Sequence, residues 1–312
     1  YCHNYKKMKI KGIDALKKVL DYDRKDKPNC LMTFSGGRDS SFGLHYFKKV
    51  LKINPISYSY DWGMITDLGR RNQARMTGKL GIEHLLVSAD IKKKRESIRK
   101  NVEAWLRRPD LGTIPLFMAG DKQYLYYANK LGKRIGASSI ILCINPLEKT
   151  DFKFGFCGVR PNVNVQYRLN LANQIKLTFY YLKQYLLNPF YLNSSLFDTI
   201  FAFISFYFIP HNYVSFYQFK RWNEKEINQT LINEYNWEIA QDTKTTWRIG
   251  DGTAAFYNYI YLIMAGFTEN DTFRSNQIRE GDISRPDGLK LLQEDNKIRY
   301  EHVCLLCKKY FI

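Results

Sequence analysis

The residues whose types and spacing most plainly suit chemistry are Ser35, Gly36, Gly37, Arg38, Asp39 and Ser40, which directly follow an apolar run, CLMTF, at residues 30–34. A strand, a tight glycine turn and a helix beginning near the second serine together make an anion site. Two glycines permit positive φ and close backbone approach, so successive N–H groups converge on one anion, and the helix end adds its partial positive charge. The hydroxyls of Ser35 and Ser40 complete the cradle. At about 1.5–3 kcal/mol for each charge-assisted hydrogen bond, several together hold a pyrophosphate group. Neither GxxxxGK(S/T) nor GxGxxG accompanies this strand, so a Walker-type γ-phosphate transferase and a dinucleotide dehydrogenase are both unsupported.

Other charged residues offer further contacts. Lys153 follows the fourth apolar run by a short loop and can reach the crevice at the strands' carboxyl ends. The segment Trp247-Arg248-Ile249-Gly250-Asp251-Gly252-Thr253 is glycine-rich with opposite charges, and Arg274, Ser275, Asn276 and Arg279 offer forks suited to phosphate or carboxylate. The competing reading is that Arg248, Asp251 and Arg279 form internal ion pairs that tie helices together. Cys304 and Cys307 have CxxC spacing, which suits zinc only with two further ligands, and buried thiols in an apolar helix are the alternative. His45, His84, His211 and His302 show no ligand-like spacing. The basic run from Lys92 to Lys100 reads as the solvated face of a helix.

The elements that must position these groups follow from periodicity. Short β-rich runs at residues 30–34, 56–60, 84–88 and 139–144 alternate with helical stretches at 40–51, 67–80, 91–105 and 121–135. That alternation predicts an α/β fold, a doubly wound parallel sheet with helices on both faces. Beyond Pro161 the texture turns aromatic and Asn-rich with helical spacing, and the apolar run at 200–209 is expected to be a buried helix, too short to span a bilayer. With 312 residues, 45% of them hydrophobic, the chain can bury a full core. A net charge of +18 attracts anions without choosing among nucleotides, sugar nucleotides, RNA and acidic lipid. Six scattered cysteines suggest a reduced, cytoplasmic protein rather than a disulfide scaffold, and since the chain opens on Tyr1 an N-terminal segment is expected to precede it.

FSGGRDS resembles the PP-loop, SGGxDS, of the N-type ATP pyrophosphatase superfamily. The resemblance implies α–β cleavage of ATP and adenylation of a carbonyl oxygen, with Ser35 to Ser40 holding the nucleotide. It also places the loop Tyr60-Asp61-Trp62-Gly63 beside it, where Asp61 is a ligand candidate or simply a cap or surface turn. DFKFGF at 151–156, NPFYLNSSL at 188–196, TTWRIGDGTAAFYNYIY at 245–261 and GFTENDTFRSNQIREG at 266–281 are similar to the N-acetyl sugar amidotransferases of surface-polysaccharide and flagellin-sugar biosynthesis. This likeness runs from about residue 2 to residue 300.

That family implies an ATP-dependent ligase that converts a sugar acetamido group to an acetamidino group, with Mg2+ at the phosphates. Asp39 would orient the loop or hold the metal, Lys153 would meet the phosphates, and Arg248, Asp251, Arg274, Ser275 and Arg279 would bind a nucleotide sugar. The implied organisation is a remnant of an N-terminal cysteine-containing segment (1–25), a PP-loop domain (26–160) and a mainly helical substrate and partner region (161–312). Cys2 would belong to an N-terminal cysteine cluster able to take zinc. Ammonia would come from separate glutaminase and cyclase-type subunits, with no nucleic-acid partner and no membrane span. A tRNA-thiolating enzyme of the same superfamily is the enzymatic alternative, and a basic RNA- or membrane-surface-binding module the non-enzymatic one.

Overall fold

Apolar runs become strands here because the middle of the sheet is covered on both faces, as the near-complete burial of its central strands shows. The computed structural model describes residues 5–21, 30–160 and 169–304. Its strands are Cys30–Thr33 (β1), Ile56–Asp61 (β2), His84–Ser88 (β3), Ser139–Leu142 (β4) and Val214–Ser215 (β5). They pair in parallel in the order β3-β2-β1-β4-β5.

Around the sheet lie α1 (Ile13–Val19), α2 (Arg38–His45), α3 (Asp67–Leu80), α4 (Ile91–Arg107), α5 (Tyr124–Arg134) and the single turn α6 (Phe152–Gly155). Then come α7 (Leu171–Leu187), α8 (Leu196–Tyr207), α9 (Glu224–Tyr235), α10 (Ala254–Ala265), α11 (Glu269–Glu280) and α12 (Arg285–Asp295). Side-chain caps set several starts. Thr66 accepts from the Gly69 N–H to open α3, Asp90 from the Lys93 N–H to open α4, and Thr268 with Asp271 closes a capping box on α11.

Alternate residues of β1 enter two different cores, which is what double winding means at the level of side chains. Cys30, Met32 and Phe34 join Phe42, Met76, Phe216, Leu231 and Phe273 on one side. Leu31 joins Tyr58, Ile98, Trp105, Phe117 and Tyr257 on the other. The sheet and its cores therefore draw on residues to either side of position 160.

Three details depart from the sequence expectation. The helix expected at 40–51 starts two residues earlier and relaxes into a π-helical turn at Tyr46–Val50. The one at 121–135 is entered through a 3-10 stretch, Leu111–Gln123, which carries Pro115 and so cannot complete an α ladder. The apolar run at 200–209 falls largely in α8, which is not buried all round: Thr199, Ala202, Ser205 and Phe206 face inward while Phe197, Ile200 and Ile204 are exposed. No helix among the described residues is long and apolar enough to cross a membrane.

Gly43 lets α2 lie close against the strand end at Cys143, for a Cβ at this position would come within 2.2 Å of the Cys143 sulfur. Gly43→Ala is expected to destabilise the chain by about 1–3 kcal/mol through overpacking, and Cys143→Ala in the same chain should relieve most of that loss. Urea unfolding of the two single variants and the double variant measures the coupling; independent, additive losses would refute this packing account.

Candidate functional site

β1 and β4 are neighbours, yet the chain leaves β1 toward β2 and β3 on one side and later reaches β4 and β5 on the other. Such a reversal opens a crevice outside the carboxyl ends of the two strands. A cavity of ≈ 350 Å³ lies there, walled by Thr33 and Phe34 at the end of β1, by Leu142 to Asn145 at the end of β4, and by the loop that starts α2. Its volume falls in the range of small-molecule sites, about 300–1,000 Å³.

Ser35 and Ser40 clamp the loop. Ser40 Oγ accepts from the Ser35 N–H at 3.3 Å, the two hydroxyls lie 3.2 Å apart, and Ser35 Oγ accepts from the Gly37 N–H at 3.3 Å. The two glycines have different tasks, which the sequence does not separate. Gly36 takes the left-handed backbone, with φ 78°. A Cβ there would meet the Gly69 carbonyl oxygen at 2.4 Å, and the Gly36 carbonyl accepts from Trp237 Nε1 at 3.1 Å. Gly37 has an ordinary φ of −72° and is the N-cap of α2. It faces the cavity, and the N–H groups of the first helical turn after it have no partner within the helix.

Arg38 is buried, and its guanidinium is fully engaged. It donates to Asp39 at 3.2 Å, Glu148 at 2.9 Å, Glu224 at 3.3 Å and Thr246 Oγ1 at 3.1 Å. Asp39 also accepts from Trp222 Nε1 at 2.7 Å. Asp39 and Glu148 both border the cavity beside the cradle. Burial, then the neighbouring Asp39 charge, push the Glu148 carboxyl up to about 8, against the pull of Arg38 and Arg248. Two carboxyls so placed can share a proton or a cation.

Across the cavity stands Arg248, which holds φ 52° although it is not glycine. Strain of this kind costs of order 1–3 kcal/mol and persists only where the surroundings enforce it. Arg248 Nε lies 3.0 Å from Glu269, a carboxylate with no exposed side-chain surface, and Lys153 Nζ lies 2.5 Å from the other oxygen. Burial alone would raise Glu269, but Arg248 and Lys153 hold it down at about 2. Asp251 and Asp121 border the same cavity. Burial raises the Asp121 carboxyl, Lys122 opposes the rise and Asp251 adds to it.

Of the candidates from sequence, Ser35, Gly37, Arg38, Asp39, Ser40, Arg248 and Asp251 share this cavity. Others lie elsewhere. Lys153 is set behind Glu269, with its ammonium 4.5 Å from the centre of the Tyr257 ring. Asp61 is occupied by the Gly63 N–H at 2.9 Å and by Arg70, though its neighbour Trp62 borders the cavity. Arg274 pairs with Asp295 at 2.6 Å and Glu224 at 2.7 Å, so it ties helices together. Arg279 donates to Asn276 at 2.8 Å on α11, where Ser275 also sits, away from the cavity. Cys2 and Cys307 lie outside the described residues; Cys304 is exposed. No group of three or more His, Cys, Asp or Glu suited to a metal occurs among the described residues.

Sequence reasoning passed over Glu148, Asn145, Asp121 and Tyr124, which all border the cavity. A signal existed for the first two, since they lie within four residues of the end of the apolar run at 139–144, near a strand's carboxyl end. None existed for Asp121 and Tyr124, which arrive through the 3-10 stretch.

The fold and site define an α/β protein in which a glycine-containing loop and the start of α2 open on a cavity at a topological switch point. No family model and no curated protein matches the chain. Among solved structures, a U34-tRNA thiolase from Methanococcus maripaludis with its 4Fe-4S cluster is 13% identical, with 90% of this chain and 78% of that one covered and a TM-score of 0.36. An NH3-dependent NAD synthetase from Campylobacter jejuni in complex with nitrate is 10% identical, with 62% and 95% covered and a TM-score of 0.31. A predicted subunit of a tRNA methyltransferase from Methanocaldococcus jannaschii is 13% identical, with 78% and 90% covered and a TM-score of 0.32. Likeness at these scores says nothing of activity.

The division of labour between the glycines has a direct check. Gly36→Ala combines a left-handed backbone with a backbone clash and is expected to destabilise the chain by more than about 2 kcal/mol. Gly37→Ala meets only the Ser35 hydroxyl, at 3.2 Å, and should cost less than about 1 kcal/mol. Equal losses in thermal or urea unfolding would contradict the loop geometry described above.

Proposed function

We propose that this chain is an ATP pyrophosphatase-type ligase that activates a carbonyl oxygen with AMP and replaces that oxygen with ammonia. The observation that carries the reading is the position of the cradle. The Ser35 to Ser40 loop opens into the switch-point cavity, where a bound phosphate chain would lie between the α2 N-terminus on one side and Arg248 on the other. The finer reading, in which the carbonyl belongs to a sugar N-acetyl group, is supported by the residue 245–261 block that resembles the sugar amidotransferases: Thr246, Trp247, Arg248, Gly250 and Asp251 face the same cavity as the cradle.

An acetamide carbon resists attack because amide resonance stabilises it. In the proposed reaction its oxygen attacks the α-phosphorus of ATP, the α–β bridge bond breaks and pyrophosphate leaves. Ammonia then adds to the carbon, the bond to the adenylate oxygen breaks, AMP leaves, and the product is an amidinium. The chain's share is positioning and charge. The cradle N–H groups hold the phosphates in line, and Arg248, fixed by Glu269, offers a cation that costs no reorganisation when negative charge shifts. Asp39 and Glu148 are the residues that would hold Mg2+, which when bound neutralises phosphate charge.

Three of the described cysteines fit an external ammonia source. Burial pushes the Cys30, Cys143 and Cys157 thiols up, away from the thiolate a glutaminase nucleophile needs. Purified chain with ATP, Mg2+ and candidate nucleotide sugars should therefore form AMP, pyrophosphate and an amidine with ammonium and not with glutamine. Mass spectrometry reads the exchange of oxygen for NH. Release of ADP and orthophosphate would overturn the cleavage, equal turnover with glutamine the external source, and pyrophosphate release stimulated by tRNA alone the carbonyl-sugar substrate.

A second outcome concerns pH. Because its pKa is raised, Glu148 is neutral below about 8 and must shed its proton to take a cation. Affinity for ATP with Mg2+ should rise with pH up to that value and level off above it. The calorimetric binding enthalpy below it should vary with the buffer's ionisation heat. Glu148→Gln should lose both dependences; a flat wild-type profile would remove Glu148 from the metal site.

A further inference from the structure

The fold leaves a large apolar face uncovered. α7 turns Leu177 and Gln184 inward and presents Leu171, Ile175, Phe179, Leu182 and Leu186 to solvent, a stripe along one side of the helix. Phe179 is 67% exposed and Leu186 81%. α8 packs beside α7, with Tyr181 against Phe203 at 5.8 Å and Gln174 Nε2 donating to the Tyr207 carbonyl at 2.6 Å. It adds Phe197, 82% exposed, and Ile200. A surface helix ordinarily turns such residues to the core, and a contiguous exposed patch of this kind marks an interaction site.

Charge chooses the occupant. From Leu171 to Phe197 the sequence contains no Asp or Glu, and the charges that α7 exposes among its apolar residues are Lys176 and Lys183. More basic groups border the same face: Lys93 shares a groove with Phe197 and Phe201, and Arg107 lies 3.8 Å over the Phe190 ring, while Lys100, beside Ser194 at 2.6 Å, is paired with Glu96 at 2.6 Å. The two carboxylates of that groove are taken, Asp198 by Lys94 and Asp90 by the α4 N-terminus. Lysine is depleted where proteins meet. At a bilayer surface its stem lies along the apolar layer while the ammonium reaches the headgroup phosphates. α7 is 17 residues long and carries two lysines, so it suits lying in the interface rather than crossing it.

We propose that the exposed face of α7 and α8 seats this protein on anionic phospholipid, with the apolar stripe in the acyl boundary and Lys176 and Lys183 at the phosphates. The test is co-sedimentation of the full chain with phosphatidylcholine vesicles, with and without phosphatidylglycerol. Binding should require phosphatidylglycerol and weaken with salt. Lys176→Gln and Lys183→Gln should each lower partition about fivefold. Phe179→Glu with Phe197→Glu should abolish it; both positions are exposed, and an unchanged melting temperature verifies the fold. Equal binding to both vesicle types, or none to either, overturns the proposal. So does a concentration-dependent dimer in analytical ultracentrifugation that the same double variant dissolves while vesicle binding is absent, since the face would then belong to a second copy.

Discussion

A guanidinium with almost no exposed surface stands between the 35–40 loop and the rest of the molecule. Arg38 comes from the first turn of α2, but its partners come from the loop itself, from the stretch after β4, from α9 and from the segment before Arg248. A charge buried this deeply costs several kcal/mol unless it is paired and hydrogen-bonded. The planar fork reaches four partners at once, and the rings of Trp222 and Phe273 cover it at 4.8 and 5.2 Å. The series continues outward, for Glu224 also takes Arg274, and Arg274 takes Asp295 at the end of α12. The loop therefore has the shape it has only while distant helices hold their places.

A second ionic system guards the other wall. Glu269 bridges Arg248 and Lys153 behind the cavity, and the strained Arg248 backbone is held by that bridge together with the Gly252 N–H bonded to the Met64 carbonyl at 2.8 Å. Between the two systems the lining is largely aromatic, with Tyr58, Tyr60, Trp62 and Trp247. Such walls exclude water, and fixed charges stay effective where little solvent screens them. Rigid charges in an apolar frame are what a site needs if it is to favour one charge distribution over another.

Four of the five strands were legible because each is a β-rich run of four to six residues, even β3, an edge strand that leaves Leu86 exposed. β5 was not: it is Val214 and Ser215 alone, a pairing made by its neighbour β4 rather than by its own composition. The loop's place between a strand and a helix was legible from residue types, yet only the structure separates Gly36, which shapes the turn, from Gly37, which faces the cavity. Lys153 illustrates the opposite failure. Its distance along the chain from β4 suggested the crevice, but the short turn α6 directs it to Glu269, a residue more than a hundred positions later that no local pattern connects with it. Ion pairs between remote segments leave no periodic trace, and those pairs decide which charges remain available.

The same remoteness gives the molecule a history in time. The Arg38 partners Glu224 and Thr246 follow it by 186 and 208 residues. At ribosomal rates of about 5–20 residues per second, roughly 10–40 s pass between synthesis of the guanidinium and of those groups. Until then β4 also lacks its outer neighbour, and Cys30, Met32 and Phe34 lack Phe216 and Phe273. The nascent N-terminal half is thus a sheet with an open edge and an unfinished face, a state in which strand pairing with other chains competes with completion. The cavity is walled by residues from 33 to 251, so it takes its final form only once the segment around Arg248 has been made.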